Sequence, residues 1–245
     1  MAAIIQRRQG RPWSGEGRFD VKPHRAKLPP EQLVALRLAG RPKQYSPGDT
    51  IFIEGDRSDS VALLNKGIVK VTTVAGNGYT SMLALRGADD LIGEFGCLDD
   101  QPRAASVTAL TPVTAVVITA QRFLGLLRER SDLLFSLLMI TVARVQESDR
   151  RRLEFGAYLA IDRVGRVLLD LARRHGEPIE AFPGSVYVPT LQRDLAGAAG
   201  ASRETVVRTL RGLAESGVIF TQRGGIVVTD LALLDTIVTH VTSEP

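Results

Sequence analysis

The hydrophobic positions of this 245-residue chain change their period along its length. Between Leu28 and about Ala120, short apolar runs such as Thr50-Ile-Phe-Ile, Ile68-Val-Lys-Val and Val113-Thr-Ala-Val-Val-Ile are separated by glycine-containing turns. Runs of that length bounded by turn residues predict strands, and Asn77-Gly78 predicts a tight hairpin. The outcome is an antiparallel barrel, sandwich or roll. From Gln121 to Ala160 the period lengthens to that of a helix. There Leu134, Leu138, Val142 and Val145 step by 4, 4 and 3, a coiled-coil stripe that suits either core packing or pairing with a second helix. A further helix holds Val164, Val167, Leu168 and Leu171 and is expected to end near His175-Gly176. Four regions result: 1–27 without hydrophobic period, a β-rich 28–130, a helical 131–160, and 161–245.

The last region carries the most informative run, Ser202-Arg-Glu-Thr-Val-Val-Arg208. Ser202 is a good N-cap and Gly200 supplies a turn just before it. At about 100° per residue, Val206, Leu210 and Leu213 share one face, while Arg203, Glu204, Val207, Arg208 and Arg211 share another. Arginine can grip guanine O6 and N7 with two parallel bonds, and glutamate accepts from the cytosine amino group. An ordinary amphipathic surface helix would show the same two faces, but the flanking residues favour DNA. Thr190 after Pro189 reads as an N-cap, Leu191 and Leu195 lie one turn apart, and Ala198 and Ala199 permit close helix approach. Beyond Gly217, two β-like runs flank Gly224-Gly225. Helix, turn, helix and a two-stranded wing make a winged helix-turn-helix, with Thr190 and Ser202 at its helix starts.

Composition narrows the classes. A formal charge of +4 and 24% charged residues suit a globular protein with a polyanionic partner. Residues 1–27 are rich in arginine and lysine and read as a solvated basic extension, with DNA phosphates as the alternative contact. Cys97 is the single cysteine, which leaves no disulfide framework, zinc finger or thiolate-held cluster. The three histidines are scattered, so neither a metal site nor a catalytic histidine is expected, and the chain does not read as an enzyme. No apolar run nears the roughly 20 residues of a membrane span, and no signal-peptide core is present. A cytoplasmic location is expected.

A second constellation lies in Gly93-Glu94-Phe95 through Pro102-Arg103-Ala104-Ala105-Ser106. Arg103 could clamp a phosphate with its planar fork, Glu94 could accept a sugar hydroxyl, and the small alanines would let backbone N–H groups approach an anion. Taken alone, Glu94 and Arg103 read as an ordinary loop ion pair.

The two constellations together resemble the CRP/FNR family of bacterial regulators. "SRETVVR" is close to that family's recognition helix, and the second string is similar to the phosphate-binding cassette of cyclic-nucleotide-binding domains. The resemblance implies an α+β fold: an N-terminal antiparallel β-roll, a long dimerisation helix with a hinge, and a C-terminal winged helix-turn-helix. It implies that Arg203, Glu204 and Arg208 read the G·C pairs of TGTGA-like half-sites as a homodimer. It assigns Glu94 to the ribose, Arg103 to the phosphate, and the backbone of Gly93, Phe95, Ala104 and Ala105 to the remaining polar atoms. In related eukaryotic domains alanine after the arginine goes with cAMP, so cAMP is the expected allosteric ligand, with cGMP, another nucleotide or no ligand as alternatives. No cofactor is implied. RNA polymerase is a further partner that the resemblance admits, and several cluster-binding cysteines of the oxygen-sensing branch are missing. Alignment through Leu168 to Ala172 places Asp149 and Arg150 where the family has a Thr-Ser pair against the adenine, a departure in the base-contacting part of the site.

Overall fold

A computed structural model describes residues 27–180 and 182–240. The basic extension expected for 1–27 lies, apart from Lys27, outside them. The described chain opens with a helix, α1 (Pro30–Ala39), where the sequence reading began its β region. Proline fits the first helical turn, where its missing N–H costs nothing, and Leu33 and Leu36 bury one face. Eight strands and a short helix follow: β1 (Arg41–Tyr45), β2 (Thr50–Phe52), β3 (Ser60–Lys66), β4 (Val69–Val74), β5 (Thr80–Arg86), β6 (Leu91–Ile92), α2 (Glu94–Asp99), β7 (Ser106–Ala109) and β8 (Val113–Thr119). They form two antiparallel four-stranded sheets, ordered β1-β8-β3-β6 and β2-β7-β4-β5. The Asn77-Gly78 turn joins β4 to β5, with Gly78 at φ +81°. Ala62, Leu64 and Ala115 of one sheet pack with Val69, Val107 and Ala109 of the other. This closes a β-roll.

Two helices lead out of the roll. In α3 (Ala120–Glu129), the Thr119 hydroxyl caps the first turn by accepting from Arg122 N. Its Phe123 and Leu127 pack with Leu36 and with Leu133 of the next helix. That helix, α4 (Ser131–Ala157), has 27 residues and so is about 40 Å long at 1.5 Å per residue. Only Leu133 and Leu137 on it are buried, and Leu134, Leu138, Val142 and Val145 all face outward. Tyr158 and Leu159 are extended, a break that turns the chain into α5 (Ala160–His175). No described helix is long and apolar enough to cross a membrane.

The C-terminal unit continues through β9 (Glu177–Pro178), β10 (Val186–Val188), α6 (Gln192–Ala199), α7 (Arg203–Glu215), β11 (Ile219–Gln222), β12 (Gly225–Val228) and α8 (Leu231–His240). Its sheet runs β11-β12-β10-β9, all antiparallel. Leu168 and Leu171 of α5 meet Leu195 of α6 and Val206 and Leu210 of α7 in one core. The same core takes in Ile68, Met82 and Leu85 of the β-roll. Contact with the roll is close because Gly197 carries no side chain: a Cβ there would stand 2.8 Å from Thr80 O and 3.1 Å from Met82 N. Beside it, Lys70 Nζ of β4 meets Asp194 Oδ1 of α6 at 2.7 Å, both side chains largely buried.

These contacts give a stability ranking. Gly197→Val should lower the thermal midpoint and expose the seam to protease, since the backbone of β5 cannot yield as a side chain tip would. Gly212→Ala, at a helical position with nothing within 4 Å of the new carbon, should hold or raise the midpoint by the equivalent of about 0.4–1 kcal/mol. Melting curves of the two variants check the order.

Candidate nucleotide cavity and nucleic-acid interface

The string Gly93–Ser106 folds around a cavity of about 540 Å³. Gly93 sits at φ +83°, a left-handed conformation that most side chains avoid. A Cβ there would also lie 2.6 Å from Arg103 Nη1 and 2.7 Å from Phe52 Cε2. Glycine therefore serves twice, bending the chain from β6 into α2 and leaving room for the arginine. The Arg103 guanidinium is 5% exposed at the residue level. Its Nη1 donates to Gly93 O at 2.9 Å, its Nη2 to Ser60 O at 2.7 Å, and its carbon stands 3.8 Å from the centre of the Phe52 ring. Its own N–H donates to Asp56 O and its carbonyl accepts from Gly55 N. The arginine is held by the surrounding backbone, with Asp59 the nearest carboxylate at 3.6 Å.

Glu94 does not pair with Arg103. Its buried carboxylate is engaged by Arg144 of α4, whose Nη2 also donates to Leu91 O at 2.9 Å and whose guanidinium faces the Phe95 ring. The two charges that the sequence singled out thus occupy the same cavity wall as separate groups, each with its own anchor. Phe95, Ala104 and Ala105 line that wall too.

Along α4, the residues facing the cavity are Arg144, Glu147, Ser148, Arg151, Arg152 and Phe155. Asp149 and Arg150, the expected base contacts, do not line it; Arg150 reaches Glu154 at 3.8 Å. Helical geometry gives the reason. At about 100° per residue, 144, 148, 151 and 155 fall in one stripe, whereas 149 and 150 lie roughly 100–160° away from its centre. On α4 the hydroxyl at the wall is that of Ser148, one residue earlier than the alignment placed the pair.

At the other end of the chain, the helix-turn-helix is set by a glycine, an arginine and a serine. Gly200, φ +55°, ends α6, and a Cβ there would run into the Phe155 ring of α4. Arg163 of α5 donates to Ala199 O at 2.8 Å and Gly200 O at 3.0 Å, satisfying carbonyls that the helix end leaves open. Ser202 Oγ accepts from Thr205 N at 3.0 Å and caps α7. Val206, Leu210 and Leu213 are buried, and Arg203, Glu204, Val207, Arg208 and Arg211 are exposed. Among the described residues no ion pair ties up the three arginines or Glu204. Thr190 does not cap α6 as expected; Leu191 takes the extended N-cap position, and the buried Thr190 hydroxyl has no hydrogen-bond partner among the described residues. The apolar Leu191 can hold that place because its carbonyl, which accepts from Asp194 N and Leu195 N, starts the helix without a side-chain cap. Thr190, Arg193, Arg203 and the hairpin residues Thr221, Gln222 and Gly224 line a cleft of about 450 Å³. The wing was read from the sequence, but Arg193, Thr221 and Gln222 were not among the DNA-contacting residues named there, because only the folded hairpin sets them beside Arg203.

Comparison with known proteins agrees with this geometry. Residues 42–130 match the model of the cyclic nucleotide-binding domain, and residues 162–237 match the Crp-like helix-turn-helix domain. The chain is 31% identical to the cyclic AMP receptor protein of Thermus thermophilus over 86% of its own length and 94% of that protein. It is 28% identical to a CRP-like cAMP-activated global transcriptional regulator of Mycobacterium tuberculosis, over 82% of its length and 89% of the relative. In fold it is similar to FixK2 from Bradyrhizobium japonicum, with a TM-score of 0.68, 20% identity, and 80% and 96% of the two chains covered.

Loss of the Ser202 cap gives a prediction. Ser202→Ala should cost about 0.5–2 kcal/mol of stability, read by denaturant unfolding, and should fray the N-terminal turn of α7. With both domain models matched and these relatives spanning most of its length, the chain belongs to the CRP family of transcription regulators, non-enzymatic proteins that join a cyclic-nucleotide-binding domain to a DNA-binding helix-turn-helix.

Proposed function

We propose that this regulator is a homodimer that binds palindromic DNA with TGTGA-like half-sites in response to cAMP, acting in the cytoplasm. The observation that carries the ligand part is the separate anchoring of two buried charges, Glu94 and Arg103, on one cavity wall. Their natural complement is a molecule offering both a hydroxyl donor and an anionic phosphodiester. Arg103 takes the phosphate, with backbone N–H groups of Ala104 and Ala105 beside it, and Glu94 takes the ribose hydroxyl by exchanging its Arg144 contact. Ala104 after the arginine supports cAMP, as does similarity to the cAMP-activated mycobacterial regulator. A hydroxyl from Ser148 is available to the base.

The dimer rests on α4. Leu138 and Val145 are 56% and 55% exposed on an otherwise folded helix, a stripe that a second copy would cover in parallel register. Twin α7 helices about 34 Å apart then meet successive major grooves, Arg203 and Arg208 on guanines and Glu204 on cytosine. Ligand promotes this by favouring the DNA-competent arrangement, a coupling of about 1–3 kcal/mol.

A ligand-independent regulator is the second reading, favoured by Glu94 having a partner already in Arg144. Titrating a TGTGA-type palindromic duplex with and without cAMP and cGMP decides between them. The proposal expects tighter binding with cAMP; equal affinity under all three conditions leaves only the second reading. Arg103→Gln should abolish the cAMP effect in that assay and cAMP binding in calorimetry. Arg203→Gln should cost about 1–3 kcal/mol and relax base choice at one position of the half-site. Leu138→Glu should yield monomers by sedimentation and weaken binding to the palindrome.

A further inference from the structure

One carboxylate in the cavity wall has cations on both sides of the domain seam. Glu147 is half-buried on the inward stripe of α4. Arg151, one turn along the same helix, donates to it at 2.9 Å, and Arg174, near the end of α5, donates to it at 3.0 Å. Arg86 of β5 also lies within its field. Burial by itself would push the Glu147 carboxyl up, yet Arg151 and Arg174 hold it below its ordinary value. Arg174 is oriented by Asp170, four residues back on α5, at 2.7 Å, and it does not line the cavity. Arg86 does line it. Burial, and after it the nearby Arg144, push the Arg86 guanidinium down to about 10, and its Nη1 donates to the neighbouring Leu85 O at 2.9 Å. Cations outnumber the carboxylates on this side of the cavity: Arg86, Arg144, Arg151 and Arg152 line it with Glu94 and Glu147, and Asp90 also acts on Arg86.

We propose that Glu147 and Arg174 are positioning residues through which an anionic ligand in the cavity holds the DNA-binding unit in place. The inference rests on the cyclic-nucleotide reading above. Arg151 and Arg174 share the Glu147 carboxylate by direct contact, and Arg86 acts on it through space. A phosphodiester seated on Arg103, with the ribose displacing Arg144 from Glu94, adds an anion to the field of Arg86, Arg144 and Arg151 and leaves Glu147 to Arg174. The ion pair across the seam tightens. Because α5 shares its core with α6 and α7 through Leu168, Leu195 and Leu210, a firmer Arg174 contact fixes the recognition helix relative to the cavity. Breaking one partner of such a shielded pair removes its contribution and leaves the other charge uncompensated.

The test uses the full chain, cAMP as the probe and the palindromic duplex as the readout. Arg174→Gln should bind cAMP within about 2-fold of the unchanged protein while losing at least about 5-fold of the cAMP-induced gain in DNA affinity. Arg174→Lys should restore part of that gain, which a general loss of packing would not permit. Glu147→Gln combined with Arg174→Gln should lose no more of it than Arg174→Gln alone, as expected of two residues in one contact. In hydrogen exchange, cAMP should raise protection of the α6 amides in the unchanged protein and not in Arg174→Gln. An Arg174→Gln protein that keeps the full cAMP gain, or the full cAMP-induced protection, overturns the proposal. An unchanged protein indifferent to cAMP and cGMP, in both DNA affinity and α6 protection, instead overturns the nucleotide reading and this inference with it.

Discussion

The approach of α6 to β5 governs much of this molecule. Helices do not ordinarily lie with their backbone against the exposed rim of a hairpin, because side chains hold them off. Here Gly197 removes the obstruction, Ser81 Oγ reaches Gly197 O at 3.4 Å, and Lys70 and Asp194 neutralise each other at the same seam. The consequence is a single apolar core in which Met82 and Leu85 of the roll pack with residues of the helix-turn-helix. Two domains that could move independently share buried surface instead, and Ala198 of α6 stands in the wall of the cavity. A ligand in that cavity and the first helix of the DNA-reading pair are neighbours in the plain physical sense.

What the sequence disclosed and what it hid follow from the range of the interactions concerned. The recognition helix was legible because its determinants are local: Ser202 caps four residues ahead of the buried Val206, and the apolar and charged faces alternate within one helix. The hairpin at Asn77-Gly78 and the stop at Gly217, φ +71°, were legible for the same reason. Helix α1 was missed because the region from Leu28 onward was given one β character, and the helical spacing of Leu33 and Leu36 gains meaning only against the surface that the roll supplies. The cassette string identified Glu94 and Arg103 as a pair of types, while their separate partners could not be foreseen. Arg144 lies 50 positions from Glu94, and Ser60 lies 43 positions from Arg103. Asp149 and Arg150 show the sharpest limit: a shift of one residue along a helix turns a side chain by about 100°, enough to move a predicted contact from the cavity to the outside.

The helix α4 links the two proposed activities through its shape. Taking Arg144 as the origin, at roughly 100° per residue, Glu147, Ser148, Arg151 and Phe155 lie within about 60° of it and Arg152, at the edge of the cavity wall, at about 80°. By the same spacing Leu134, Leu138, Val142 and Val145 fall at about 80–160°. One rigid rod therefore presents its charged side to the ligand and, a quarter-turn round, its apolar stripe to the proposed second copy. Any rotation of α4 that improves contact with a nucleotide must also rotate that stripe. Because the rod breaks at Tyr158 and Leu159, and Arg163 ties the far side of the break to the α6 end, the same rotation is passed to the helix-turn-helix as a change of direction and not dissipated in a loose linker. On this geometry, ligand binding, the register of the proposed dimer and the aim of the recognition helix are three readings of one helix orientation, and a change that moves one of them should be visible in the other two.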